Sequence, residues 1–503
     1  MERLAELIQD HPDTDNAIGA PGRDWMTYGD LRTLTLTVRQ TLRAAGIGAQ
    51  DRVAIVLPNG PEMAAAFVTV AQSATTAPLN LAYKEDEFAF YLEDLKAKAI
   101  IVETDYDGPA RRVAKRFDMI VIELTENNPA GSFTLSTTAT GSAADTVPGS
   151  DDVALILHTS GTTSRPKIVP LLQSNVAASA VNVRDSLALT KDDCCLNVMP
   201  LFHIHGLIAA VSGSLAAGAS ISCAPGFDTL KFFSWLEEVG PSWYTAVPTM
   251  HQAILARAPR NAAIIENARL RFLRSSSSSL PGPVMTQLAE TFGAPVVEAY
   301  GMTEAAHQMC CNPIEPGRQK PGAVGLPAGP EVRIADEIEN RLINGVGEIS
   351  ISGPNVTPGY EANPEANEKN FFEAEGKRWF RTGDQGEFDE DGFLSLTGRL
   401  KEIINRGGEK ISPLEVDGIL SDHPAVGQCV TFAVPHAKLG EDVGAAVVLK
   451  EGQSATDREI RDFASQRLAA FKVPRKILIL DEIPKGATGK LQRIGLAEKL
   501  GLG

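Results

Sequence analysis

The clearest chemistry in this sequence lies in the run Thr159-Ser160-Gly161-Thr162-Thr163-Ser164-Arg165-Pro166-Lys167. Hydroxyl donors, a glycine that leaves backbone N–H groups accessible and a closing lysine are the groups that wrap phosphate oxygens. The run follows the apolar residues Val153-Ala154-Leu155-Ile156-Leu157, so the loop leaves the end of a strand. That position favours a phosphate cradle over a Ser/Thr-rich surface turn. The spacing G-x-x-x-x-G-K-[ST] is missing, and kinase or GTPase readings thereby lose their main support.

Elements on both sides must position that loop. From about Leu4 to Ile100, helical patterns (Leu31 to Ala45, Pro61 to Gln72) alternate with short apolar runs such as Val53-Ala54-Ile55-Val56-Leu57, which predicts a parallel sheet under helices. A second such unit is expected to begin near Val153. Between them, Asn128 to Ser150 is rich in Gly, Ser, Thr and Ala and reads as a surface connection. From Gly322 to Gly398, short strands broken by Gly, Pro and Asn predict a small β-rich unit. After Arg399, the stretches Val430 to Val434, Val443 to Leu449, Asp457 to Leu468 and Ile477 to Leu480 predict a separate small α/β domain. The expected fold class is α/β. A large N-terminal domain, residues 1–399, combines parallel-sheet subdomains with the small β unit, and a smaller α/β domain spans residues 400–503.

Composition narrows the function classes. The 503 residues are 43% hydrophobic, which suits a folded enzyme of more than one domain. A formal net charge of −16 opposes binding along a phosphate backbone, so no nucleic-acid partner is expected. An anionic substrate must instead meet a local cationic pocket. No apolar run reaches the roughly 18 residues that span a bilayer, and no export signal opens the chain, which ends Leu500-Gly501-Leu502-Gly503 rather than Ser-Lys-Leu. A cytoplasmic protein without a membrane partner is expected. The six cysteines, including Cys194-Cys195 and Cys310-Cys311, lack metal-ligand spacing and read as reduced and structural. Oligomeric state is not legible.

Further motifs follow the loop in order: Pro200-Leu201-Phe202-His203-Ile204-His205-Gly206, Tyr300-Gly301-Met302-Thr303-Glu304, Thr382-Gly383-Asp384, Gly398-Arg399-Leu400-Lys401-Glu402 and Pro484-Lys485-Gly486-Ala487-Thr488-Gly489-Lys490. Over nearly its whole length the chain thereby resembles the adenylate-forming superfamily of acyl-CoA synthetases, luciferases and peptide-synthetase adenylation domains. The resemblance implies an ATP-dependent acid–thiol ligase with a barrel-like β unit and a mobile C-terminal domain. ATP, coenzyme A and a small carboxylate would be its substrates, and Mg²⁺ its cofactor. Thr159, Ser160, Gly161, Thr162, Thr163 and Lys167 would hold phosphates, with Tyr300, Asp384 and Arg399 on the nucleotide. Glu304, a hard oxygen ligand beside Thr303, suits Mg²⁺ and the charge on departing pyrophosphate. Asp384 suits both ribose hydroxyls. Lys401 sits where the family hinges, and Gly407 and Gly408 permit close approach of a pantetheine arm. Lys490 would lay its ammonium between the attacking carboxylate and the α-phosphate.

Within the superfamily, the strings His158 to Lys167, Trp243 to Thr249 and Asn405 to Pro413 are similar to the oxalyl-CoA synthetases. The expected acyl segment, Arg274-Ser275-Ser276-Ser277-Ser278-Ser279, is hydroxyl-rich after one arginine, and His307 follows Thr303-Glu304 by one helical turn. With His205 and Ser277, these residues offer donors for a compact dianion. A flexible serine linker and core histidines are the plainer alternatives. Ala299 stands where malonyl-CoA synthetases carry an arginine, which favours a shorter acid. Malonate, another small acid, or loading of a carrier protein stay open as alternatives, while the polar segment argues against a bulky luciferin. Two departures are Ile168, where the family usually has glycine after Pro-Lys and which is expected to stiffen the phosphate loop, and Gly301 in place of the alanine common in oxalate enzymes.

Lys490→Ala is expected to abolish adenylation while sparing thioester formation from added acyl-adenylate. Equal loss in both half-reactions, measured separately, would contradict the role given to Lys490.

Overall fold

The computed structural model describes residues 1–159, 166–484 and 491–502. Its first sheet has seven strands, in the order Phe133–Ser136, Ile120–Glu126, Ala99–Glu103, Arg52–Val56, Thr75–Pro78, Val153–His158 and Ile168–Leu172. The inner five run parallel and the two edge strands antiparallel. Val153–His158 and Ile168–Leu172 therefore complete the first sheet rather than begin a second unit near Val153. A parallel partner, Thr75–Pro78, captures Val153–His158 across more than seventy residues of chain, a pairing that local periodicity cannot encode. Likewise, the Asn128 to Ser150 connection contains the edge strand Phe133–Ser136.

The second sheet has nine strands. Its parallel core runs Val296–Met302, Phe272–Ser275, Trp243–Ala246, Cys194–Asn197, Ser220–Cys223 and Asn16–Gly19. Antiparallel strands flank it, His307–Cys311 and Leu326–Pro327 on one side and Met26–Thr27 on the other. Between the two sheets lies the helix Pro61–Ala71, buried at every position. A helix that is apolar all round has no solvent face to present, so it becomes the shared filling of both sheets.

The barrel-like unit is a six-stranded antiparallel sheet of Glu331–Ala335, Leu342–Ile343, Gly347–Ser352, Phe371–Ala374, Lys377–Phe388 and Leu394–Arg399. A bridge between Gly325 and Leu394 joins it to the segment leading into the second sheet. From Ile404 onward the chain builds its own five-stranded sheet, in which Gly440–Leu449, the helix Asp457–Ser465 and the parallel strand Lys476–Ile479 form a βαβ unit. Separate cores cover its two faces, one around Ile404, Val416, Val443 and Ile460, the other around Phe432, Ile483 and Leu496. Across the junction, Lys410 Nζ donates to Glu337 at 2.6 Å. Among the described residues no helix is long and apolar enough to cross a membrane.

This topology dictates where chemistry can sit. The parallel strands of the second sheet all end on one edge, and the segments leaving them are Pro200 to His205, Val247, Ser276 to Ser279 and Thr303 to Glu304. Ligands of open parallel sheets bind along that carboxyl edge, where backbone groups have left the ladder.

Candidate active site

Asp384 lies in the strand Lys377–Phe388 and is buried. Its Oδ2 accepts from Tyr300 Oη at 2.5 Å, and its Oδ1 accepts from Arg399 Nε at 3.1 Å. The turn before it is locked as well: Gly383 N donates to Glu348 Oε1 at 3.0 Å, and Arg381 donates to Glu348 Oε2 at 2.6 Å. Both carboxylate oxygens of Asp384 keep lone pairs for a vicinal diol, with Arg399 still half in solvent. Burial and the neighbouring Asp384 push the Tyr300 phenol far above its ordinary range, so it remains a donor.

Glu304 occupies the short 3₁₀ turn Thr303–Ala305 that ends the strand Val296–Met302. Its carboxylate is buried, accepts from Tyr360 Oη at 2.7 Å, and has its pKa raised chiefly by burial. Lys167 Nζ stands 4.2 Å above the Tyr360 ring centroid, a cation–π contact that carries the lysine toward Glu304. Burial lowers the Lys167 pKa and the Glu304 charge opposes that shift. At the neck of the loop, Thr159 N donates to Lys167 O at 3.0 Å. Ser160, Gly161, Thr162, Thr163 and the expected catalytic Lys490 lie outside the described residues. No cluster of three or more His, Cys, Asp or Glu suited to a metal occurs among the described residues. A buried carboxylate near Lys167 fits magnesium, which binds few protein ligands and takes the rest from phosphates and water.

The acyl candidates do converge. His205 begins a π-helical segment, His205–Ser212, a widening that often marks functional positions. Its Nδ1 faces Ser277 Oγ at 3.0 Å, its Nε2 faces Thr245 Oγ1 at 2.6 Å, and its ring lies 5.2 Å from that of His307, centroid to centroid. Behind them sits Arg274, wholly buried, with Nη1 3.2 Å from His205 Nε2 and Nη2 donating to Gln308 Oε1 at 3.2 Å. Ser275 and Ser276 are buried rather than linker-like, since the strand Phe272–Ser275 runs directly into them. Ser277 takes the left-handed conformation, φ 71°, which turns the chain away from the ladder.

His307 does not follow Glu304 on a helix. The 3₁₀ turn ends at Ala305, Ala306 and His307 adopt φ of 47° and 100°, and His307 opens the antiparallel strand His307–Cys311. Two non-glycine residues in that region store roughly 1–3 kcal/mol each, held by the surrounding packing. Gly301 makes the turn possible, because a Cβ there would lie 1.8 Å from the His307 carbonyl oxygen. The departure from alanine is thus required by this backbone. Ile168 sits in the core of the first sheet, opposite His158, and so stiffens the strand more than the loop. Gly407 and Gly408, with φ 59° and 98°, form the two-residue turn between Ile404–Arg406 and Glu409–Ile411, which demands glycine on its own. Lys401 lies in the exposed turn after Leu394–Arg399. All six cysteines are free, and burial raises every thiol, so none is poised as a nucleophile.

Sequence reasoning missed Tyr360, Thr245 and Gln308 and took Arg274 only as one donor of the acyl segment. The available signal was an arginine inside the apolar strand Phe272–Ser275. The partners come from three other segments, which spacing does not reveal.

Residues 4–361 match the AMP-binding enzyme family and residues 415–490 the AMP-binding enzyme C-terminal domain. An oxalate–CoA ligase of Arabidopsis thaliana is 44% identical over 98% of this chain and 96% of its own length. An oxalate–CoA ligase of Saccharomyces cerevisiae is 42% identical over 97% and 93%. The crystal structure of ATP-bound MatB from Rhodopseudomonas palustris superposes with a TM-score of 0.87 at 28% identity, covering 99% of this chain and 98% of that one.

Glu298 sets a pH dependence beneath this site. It pairs in register with Ser275 and accepts from Leu280 N at 2.9 Å, so it pins both ends of the serine segment. Burial pushes its carboxyl up to about 8, opposed only by that backbone donor. A carboxyl raised above its unfolded value favours the fold while protonated. Stability should therefore fall as pH rises from about 4.5 through about 8. Glu298→Gln keeps the acceptor and removes the ionisation. Its melting temperature should exceed that of the wild type at pH 8, by an effect on the order of a few kcal/mol, and vary less with pH. An equal loss of stability at every pH would contradict this.

Proposed function

The chain belongs to the AMP-binding enzyme family, and from that premise we propose that it is an AMP-forming acid–CoA ligase converting oxalate to oxalyl-CoA. In the first step a carboxylate oxygen of oxalate attacks the α-phosphorus of ATP, the P–O bond to pyrophosphate breaks, and oxalyl-adenylate forms. In the second the coenzyme A thiol loses its proton and its sulfur attacks the activated carbonyl, and AMP leaves. Asp384, oriented by Tyr300 and Arg399, accepts the ribose hydroxyls. Lys167 pairs with phosphate oxygens, and Glu304, oriented by Tyr360, is the residue that would hold a magnesium ion, whose chemistry there would be to offset charge on the leaving pyrophosphate. Ser160, Gly161, Thr162 and Thr163 are the residues that would bind the phosphates, and Lys490 the one that would stabilise the first transition state.

The division at 399/400, with Lys401 as hinge and Gly407-Gly408 near the thiol path in the second step, belongs to the same proposal. So does a cytoplasmic setting, which suits six free cysteines.

One observation carries the choice of acid. His205, Ser277 and His307 meet around a completely buried arginine, so the end of the acyl site is polar and positively charged. Such an end rejects an alkyl tail, which would strand donors without acceptors, and accepts a second carboxylate. With Ala299 in place of a cation on the neighbouring strand, the charge sits deep rather than near the adenylate, which suits a short dianion.

Pyrophosphate exchange into ATP should be driven by oxalate with kcat/KM on the order of 10²-fold or more above malonate, acetate, glyoxylate and a long-chain fatty acid. Malonate or acetate outrunning oxalate would overturn the assignment of the acid.

A further inference from the structure

A buried guanidinium is normally neutralised by a carboxylate, because an isolated charge in a low-dielectric interior costs several kcal/mol. Arg274 departs from that rule. It is fully buried, its recorded contacts are His205, Thr245 and Gln308, and its Nε has no partner among the described residues. Gln308 is itself held in place, its amide donating to Asn182 O at 3.1 Å and Ser186 Oγ at 2.6 Å, so its oxygen must face the arginine. The thiols that feel the charge, Cys195 and Cys311, are both raised by burial and remain neutral. Arginine does not release its proton, so the charge persists.

That charge constrains His205. A guanidinium has only N–H groups to offer, and Nη1 stands 3.2 Å from His205 Nε2. A proton on Nε2 would oppose a donor to a donor, and an imidazolium would oppose two cations. Thr245, whose Oγ1 accepts from Arg274 Nη1 at 3.5 Å and lies 2.6 Å from Nε2, can donate its O–H as a hydrogen bond to the same lone pair. We propose that Arg274 is a positioning residue that holds His205 as a neutral imidazole with its proton on Nδ1, aimed at the Ser277 side of the site. His205 then serves as a fixed hydrogen-bond donor to the acyl group, and neither as a general base nor as a cation. Among the described residues, the titratable groups facing it include His307, from the strand His307–Cys311, and His203, whose Nδ1 accepts from His205 N at 3.4 Å. That the acceptor is a carboxylate rests on the ligase reading, whereas the tautomer does not.

The experiment is ¹⁵N NMR on the full chain labelled at histidine, without ligand, with His205→Gln to assign the resonance. His205 should show a protonated Nδ1 and an unprotonated Nε2, unchanged between about pH 5.5 and 8. A protonated Nε2, or titration near the ordinary value of about 6.5, would overturn the proposal. Arg274→Gln should release the imidazole to titrate in that range and add a matching ionisation to the pH profile of kcat/KM for the acid, with KM for ATP unchanged. Arg274→Lys, which keeps a cation, should retain much of the flat profile. An Arg274→Gln enzyme that loses activity with the wild-type profile and an unchanged His205 signal would also overturn it. If Arg274→Gln does not fold, the wild-type spectrum decides alone. If His205 behaves as proposed but oxalate is not used, only the choice of acid fails.

Discussion

Arg274 meets no carboxylate among the described residues, and the groups packed around its guanidinium are neutral hydrogen-bonding side chains. Thr245 comes from the strand Trp243–Ala246, His205 from the segment after Cys194–Asn197, Gln308 from the antiparallel strand His307–Cys311 and Ser277 from the turn beyond Phe272–Ser275. Each reaches the guanidinium or its histidine because the strands of the second sheet end side by side. The left-handed residues Ser277, Ala306 and His307 lie in the same segments, and two of them, Ser277 and His307, border His205. A dicarboxylate would relieve an electrostatic penalty that the folded protein otherwise bears, which is how binding energy can be directed to a distal carboxylate without a surface-exposed cation.

The nucleotide end follows a different logic. Asp384, Tyr300 and Arg399 form a chain of charge-assisted contacts between the barrel-like unit and the second sheet, and Glu304, Tyr360 and Lys167 form another between the second sheet and the first. The site is thus assembled at the meeting of three sheets. The second sheet takes part in both chains of contacts, so packing around the buried helix Pro61–Ala71, which fills the space between it and the first sheet, matters to chemistry that this helix never touches.

Much of this was legible in the sequence, and the reasons differ by residue. Thr-Gly-Asp and Gly-Arg-x-Lys are contiguous, so they stand out as motifs, and helices such as Tyr28–Ala44 show themselves by period. What escaped was set by pairing across long stretches of chain. The strand Val153–His158 looks like the start of a new unit but joins the first sheet, and His307 looks like a helical neighbour of Glu304 but opens a strand. Arg274 is invisible as a functional group until its missing counter-ion can be seen in three dimensions. Gly301 appeared as a departure from pattern, and only the backbone carbonyl of His307 at the place of its Cβ explains it.

Oxalate attacking ATP at its α-phosphorus gives an adenylate, and the oxygen it contributes stays with AMP when the thiol displaces it. Oxalate labelled with ¹⁸O, incubated with ATP, Mg²⁺ and coenzyme A, tests it at the level of the bond made and broken. One ¹⁸O atom should appear in each AMP formed, with none in pyrophosphate. Label recovered in inorganic phosphate, with ADP as the nucleotide product, would show attack at the γ-phosphorus and contradict the account.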